Sequence, residues 1–421
     1  MLKLSEKLKP YRGLIRSFTS LSILQIANYL FPLIVLPYVV RVLGPAKYGL
    51  INFAAAFVAY FNLLCDYGFN LSGTKAISLV RDDKEKLSHT FSVIIFIKLF
   101  FLIISFLILV IIVFGIPFFH KNWQLYLLSF GSIVGWVLFP GWFYQGIEQM
   151  KYITILHVLV RSISTVLIFV LINVESDFLL LVLLYSSTQI LIGILGQLVA
   201  IYKFNIKYLI PSIKDLKFRL KEGSNVFFAM ISNNIYTTSN TFILGLFANE
   251  TIVGYFAAAD KVRLAFQGIQ FVLSQSVFPY VNNLLKDSYN KFVLFIKKLL
   301  IFQPAIALLI SLFLFVFSFQ LTDLLLGPRF ESSAVLLRII SVIPLLVSFS
   351  NIFGIQIMLS LGYDKAYNLI LLSAAIVYIM FMLVLVPKYL AVGTSISFLI
   401  TELIVTLSTA LFLHKQKIFR N

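Results

Sequence analysis

Apolar stretches follow one another from Leu14 to His414, separated by short polar or Gly/Pro-bearing breaks. At 1.5 Å per residue a helix of about 20 residues spans the hydrocarbon core of a bilayer. The breaks predict helices near 14–42, 48–75, 88–115, 123–146, 151–173, 177–203, 223–248, 251–284, 290–319, 332–360, 365–386 and 389–414. An even number of spans puts both termini on one side.

Several stretches carry polar residues at helical spacing. In the eighth, Asp260, Arg263, Gln267, Gln270 and Ser274 fall at i, i+3, i+7, i+10 and i+14, one continuous stripe on one helix face. Asp260 can pair with Arg263 one turn on, either as a structural ion pair or as part of a binding site. Lys261 points to another face. The second stretch carries Asn62, Asp66 and Asn70, the first Gln25, Asn28 and Tyr29, and the seventh Asn233, Thr237 and Asn240. Such amides serve equally as interhelical glue or as substrate contacts. Arg161 lies near the middle of the fifth stretch, Arg338 one or two turns into the tenth, Glu402 centrally in the twelfth, and Lys98 in the third, where it either snorkels or works.

A charge at the bilayer centre costs about 3 kcal/mol on insertion scales, so a protein retains such residues where they face a wet, protein-lined interior. A set of Arg161, Lys261, Arg263 and Arg338 is net positive and suits phosphate or pyrophosphate. Asn28, Gln25, Asn233, Asn240 and Gln267 are the accompanying polar candidates. Asp66, Asp260 and Glu402 are the candidates for proton or sodium coupling from inside the spans.

Composition agrees with a bilayer protein: 60% hydrophobic residues, 12% charged, 43 phenylalanines and a mean hydropathy of +0.97 exclude a soluble enzyme. The basic N-terminus leads into an apolar run too long for a signal-peptide core, and is read as a retained first span. Cys65 is the only cysteine, and the four histidines (His89, His120, His157, His414) lack ligand spacing. No G-x-x-x-x-G-K-[ST] and no Ser/His/Asp set is present. No catalytic residue, metal site or cofactor is therefore expected.

The net charge of +17 is read as topology and contact with anionic membrane lipids, not nucleic acid. By the positive-inside rule, roughly 24 basic residues lie on the side of the termini and about 5 on the other, which makes both termini cytoplasmic. The longest polar stretch, KFNIKYLIPSIKDLKFRLKE at 203–222, divides the helices six and six. Ile213, Leu216 and Leu220 recur there among lysines, and two readings stay open: a helix lying on the membrane surface, or a plain solvated linker. The expected division is 1–204, an N-terminal six-helix bundle; 205–222, a basic linker; and 223–421, a C-terminal six-helix bundle.

The halves begin alike. VLGPAKYGLINFAAAF in the first answers LFANETIVGYFAAAD in the second, with Gly49 and Gly254 in matching places. Two repeats of even helix number share one topology and are related by a pseudo-twofold axis along the membrane normal.

LQIANYLFPLIVLPYVVRVLGPAKYGLINFAAAFVAYF, followed by LLCDYGFNLSGTK, resembles the opening of bacterial O-antigen and capsule-repeat flippases (the Wzx type, polysaccharide transporter family), and GWFYQGIEQMKYITI is similar to a later helix junction of that family. The resemblance implies an all-α polytopic protein of the multidrug/oligosaccharidyl-lipid/polysaccharide superfamily, its two bundles V-shaped around a central cavity. It implies flipping of undecaprenyl-pyrophosphate-linked oligosaccharide from the inner to the outer leaflet of the bacterial cytoplasmic membrane by alternating access. A polysaccharide polymerase and a chain-length regulator are the implied protein partners. Ala259-Asp260-Lys261 is similar to an Ala-Asp-Arg run of lipid II flippases, which leaves open whether Lys261 or Arg263 holds the pyrophosphate. A multidrug or cation exporter of the same superfamily is the alternative, although it would want an acidic cavity. A membrane polymerase is the other, although the outer loops are short.

Overall fold

The computed structural model describes the backbone of residues 12–418 and, within them, all side chains except those of 12–29, 225–226, 228–238, 272 and 276. Among the described residues the protein is helical, with no strand. The helices are α1 (Arg12–Asp66), α2 (Phe69–Val80), α3 (Lys84–Gly115), α4 (Trp123–Leu138), α5 (Gly141–Gly146), α6 (Lys151–Leu171), α7 (Phe178–Phe204), α8 (Ile213–Phe247), α9 (Glu250–Asp287), α10 (Tyr289–Val316), α11 (Ser318–Leu326), α12 (Glu331–Ile340), α13 (Ile343–Asn351) and α14 (Asp364–Lys415). A π-helical segment, Ile352–Leu359, continues α13.

Eight segments of the described residues are long and apolar enough to cross a membrane. One of them, Leu30–Val80, contains the second expected span and the last part of the first, and α1 breaks between the two at Gly44 (φ 69°), a backbone region that favours glycine. Another, α14, contains the last two, and breaks at Leu390 (φ 49°), three residues after Pro387. The expected seventh and eighth spans are helical as α8 and α9 but are not among the eight. Local chemistry sets several ends. The Asp83 carboxylate accepts from the N–H groups of Glu85 and Lys86 at the start of α3, and the Asn249 side chain accepts from Ile252 at the start of α9. Asn205 closes α7 in the left-handed region.

The described residues form two compact units: 12–35 with 54–231, and 36–53 with 232–418. The core of the first gathers Ile77, Phe91, Trp142, Phe143 and Tyr144, the Phe91 and Trp142 rings lying 5.3 Å apart. The core of the second gathers Phe292, Ile296, Ile352, Met358 and Leu413. Outside these cores the helices stay apolar. Phe100, Ile103, Leu107, Ile111 and Phe114 form an exposed ridge along α3. Such a ridge suits acyl chains and would be a liability in water. The protein is an integral membrane protein.

Within the second unit the two glycines that match between the halves touch. A Cβ built on Gly49 would stand 1.8 Å from the Glu250 carbonyl oxygen and 2.5 Å from the Gly254 nitrogen; one on Gly254 would stand 2.0 Å from the Pro45 carbonyl oxygen. The crossing exists because neither position carries a side chain.

Candidate polar sites in the two units

The polar stripe of α9 turns into the second unit. Arg263 is buried (3% exposed), and its Nε and Nη2 donate to Asp260 Oδ1 at 2.8 and 2.7 Å. Its Nη1 donates to Gln267 Oε1, and the guanidinium lies 5.1 Å from the centre of the Phe398 ring. One turn beyond Phe398, the buried Glu402 interacts electrostatically with Arg263. Arg263 is thus covered on several sides by its own unit. Lys261, two residues away, is exposed, and no described residue pairs with it.

Further along the stripe, the Ser274 hydroxyl donates to Asn351 Oδ1, while Gln356 Nε2 donates to the Ser274 carbonyl and hydroxyl oxygens at 3.0 and 3.1 Å. Gln356 lies in the π-helical segment, an irregularity frequent at functional positions. Gln270, 3% exposed, has no described partner for either amide atom. Asn240 is buried and accepts from the Tyr378 hydroxyl at 2.9 Å, which ties α8 to α14. Arg338, at the end of α12, is exposed, its guanidinium 4.5 Å from the centre of the Phe315 ring.

In the first unit, Asp66 Oδ1 lies 3.5 Å from Lys98 Nζ, both side chains buried. This pair resolves Lys98: it does not snorkel but neutralises Asp66. The second oxygen of Asp66 has no described partner, and neighbouring Cys65 lies 3.5 Å from the Ser105 hydroxyl. Arg161 is half-buried, one turn after the buried His157, whose ring meets Phe139 edge-on at 4.8 Å. The side chains of Gln25, Asn28 and Asn233 lie outside the described residues. Of the remaining sequence candidates, the structure brings Asp260, Arg263, Gln267 and Glu402 together. It places Lys261 and Arg338 at exposed positions elsewhere on the second unit, and Asp66 and Arg161 in the first. No group of three or more His, Cys, Asp or Glu residues with metal-binding geometry occurs among the described residues.

Residues 14–285 match the family of polysaccharide biosynthesis proteins. A relative from Escherichia coli K12 named "Putative O-antigen transporter" is 31% identical over 403 residues, covering 96% of this chain and 97% of its own length. The chain belongs to the polysaccharide biosynthesis protein family. A second relative of this family, the "Putative O-antigen transporter" of Shigella dysenteriae, is 28% identical over 391 residues, 90% of this chain and 95% of its own. Two solved structures share the family member's fold. The lipid II flippase MurJ in an inward closed conformation aligns with a TM-score of 0.74 at 13% identity, covering 95% of this chain and 87% of MurJ. An inward-facing multidrug resistance MATE transporter of the MOP superfamily aligns at 0.65 with 15% identity, covering 92% and 95%. The expected sequence family is therefore found, and the two solved structures show that the expected fold is shared.

Proposed function

We propose that this protein is a flippase that carries undecaprenyl-pyrophosphate-linked oligosaccharide repeat units from the cytoplasmic to the outer leaflet of the bacterial cytoplasmic membrane, for assembly of O-antigen or a related surface polysaccharide. The observation that carries this reading is the near end-to-end match to a relative named as an O-antigen transporter. The geometry adds a division of labour. Arg263 is occupied by Asp260 and Gln267, so Lys261 is the cation of the Ala259-Asp260-Lys261 run left to meet a pyrophosphate. Arg263 holds the helix face beneath it. Arg161 is the corresponding cationic candidate of the first unit, and Arg338 is a further one on the second.

In this reading the protein is a carrier and not an enzyme: it moves its substrate without making or breaking a covalent bond. In the same reading both termini are cytoplasmic, which the distribution of basic residues supports. The multidrug-exporter alternative is disfavoured because Asp66 and Asp260, two of the three intramembrane acids considered, already hold cations of their own chain.

The test is leaflet-resolved labelling of the lipid-linked repeat unit in cells lacking the gene. The reading expects the unit to accumulate on the cytoplasmic face and to reach the outer face when the gene is restored. A unit that reaches the outer face without the gene, in cells with no second such transporter, refutes it.

A further inference from the structure

The segment after α7 is built into the first unit as a strap. From Asn205 the chain runs without helix or strand to Ser212 and then enters α8. The backbone N–H groups of Lys207 and Leu209 donate to the hydroxyls of Ser88 and Ser92 at 3.2 and 2.9 Å, and the Ser92 hydroxyl donates to the Lys207 carbonyl at 3.3 Å. The Tyr208 hydroxyl donates to Gln197 at 2.7 Å. Leu216 and Leu220 pack against the core of the unit. The two open sequence readings are thereby narrowed: this is neither a free linker nor a helix resting on Ile213, Leu216 and Leu220 together.

The first turns of α8 have two faces. At 100° per residue, Ile213, Lys214, Lys217, Phe218 and Lys221 fall within about 140° of arc, and Asp215, Leu216, Arg219, Leu220 and Glu222 fall on the remainder. All five residues of the first set are exposed. Ile213 is 72% exposed, Phe218 63%, and Ile210, just before the helix, 92%.

Every acid of the segment is engaged on the other side. Asp215 accepts from the Ser212 hydroxyl at 2.6 Å and lies 3.3 Å from His89 Nε2; Glu222 lies 2.6 Å from Arg219 Nη1. Lys207, Lys214, Lys217 and Lys221 have no ion pair with a described residue. The outward face therefore presents lysine and exposed apolar side chains, the Phe218 ring with the Arg219 guanidinium 5.6 Å from its centre, and no carboxylate among them.

We propose that this face is a docking surface for anionic bilayer lipids: the lysine ammonium groups meet lipid phosphates, while Ile210, Ile213 and Phe218 enter the headgroup–acyl boundary. The partner follows from charge complementarity. A solvated face needs no exposed Ile and Phe. A zwitterionic surface gives three acid-free lysines no net attraction, whereas an anionic leaflet attracts each at roughly 1 kcal/mol, about fivefold. Lysine stems and aromatic rings at a helix surface are the side chains that bridge this boundary. The inference stands apart from the flippase reading, since it concerns the surface on which the unit rests and not the cargo.

The test uses the full-length protein with Phe218→Cys in a Cys65→Ser background, labelled with an environment-sensitive fluorophore. It is placed in nanodiscs of phosphatidylcholine alone or of phosphatidylcholine with an equal amount of phosphatidylglycerol. The expected result is a blue-shifted, quencher-protected emission in the anionic discs only, reversed by salt. The Lys214→Gln/Lys217→Gln/Lys221→Gln form should lose the shift, a weakening on the order of a hundredfold in anionic preference. The Lys→Arg form at the same positions should keep it. Identical emission in both discs overturns the proposal, as does a shift that persists in the glutamine form.

Discussion

Neutralising Lys261 and neutralising Arg263 should fail in different ways. Removing Arg263 as Arg263→Gln leaves Asp260, whose side chain is 21% exposed, without the cation 2.7 Å away, and leaves Gln267 and Phe398 facing a smaller neutral group. Taking one partner from a buried ion pair costs about 3–5 kcal/mol, a large share of the 5–15 kcal/mol that holds a typical folded protein. Arg263→Gln should therefore lower the amount of folded protein severalfold in cells, and lower its thermal transition in detergent. Lys261→Gln removes an exposed side chain that pairs with no described residue and should change stability by no more than about 0.5 kcal/mol. Its loss should appear in transport. One charge-assisted contact to pyrophosphate is worth about 1.5–3 kcal/mol, or about 10- to 150-fold in affinity. The assay pairs membrane abundance and thermal unfolding of each variant with binding of the lipid-linked substrate and with surface polysaccharide. If Arg263→Gln is as stable as the parent but fails to bind, while Lys261→Gln binds normally, the assignment of the two cations is wrong.

Three further outcomes are expected. Gly49→Ala or Gly254→Ala should separate the helices by about 1.5 Å to restore ordinary contact distances and cost about 1–3 kcal/mol, lowering the thermal transition. Gly115→Ala, where a Cβ meets nothing within 4 Å, should not. Lys98→Met should destabilise by about 3–5 kcal/mol by stranding Asp66, and adding Asp66→Leu should recover much of the loss; a double variant no better than Lys98→Met would contradict the buried pair. The hydrogen bond from Ser212, with help from His89, holds the Asp215 carboxyl below its ordinary range. The strap contact it contributes should thus be complete above the unfolded value of about 4 and weaken only as pH falls through the lowered folded value. Amide exchange at 212–216 should accelerate in that acid range, and Asp215→Asn should remove the pH dependence.

The helical architecture was legible because span length and hydropathy are local properties of the chain. So was the Asp260–Arg263 pair, since both partners sit one turn apart on α9. The inward turn of Gln270 and Ser274 follows the same stripe, but their surroundings do not: Asn351 and Gln356 lie far along the chain, and no spacing rule links them to Ser274. Lys98 and Asp66 illustrate the same limit, since a pair formed between two helices leaves no periodic mark in either. The proposed choice between Lys261 and Arg263 rests on which face the rest of the unit covers, a property of packing alone. The strap misled for a related reason. Ile213 shares a spacing with Leu216 and Leu220, yet it sits at the first turn of α8, where the unit's core no longer covers the helix, and it stays exposed.

The Asp66–Lys98 pair also bears on how the chain enters the membrane. Each residue alone would oppose insertion of its helix by about 3 kcal/mol. The two sit on consecutive spans joined by a short turn at Arg81–Asp83. A hairpin that leaves the insertion machinery as one body carries no net charge from this pair into the lipid, whereas helices released singly carry one each. The ion pair thus ties the order of biogenesis to the folded state: the second and third spans should partition together, and a reporter placed after the second span alone should remain poorly inserted until Lys98 has emerged.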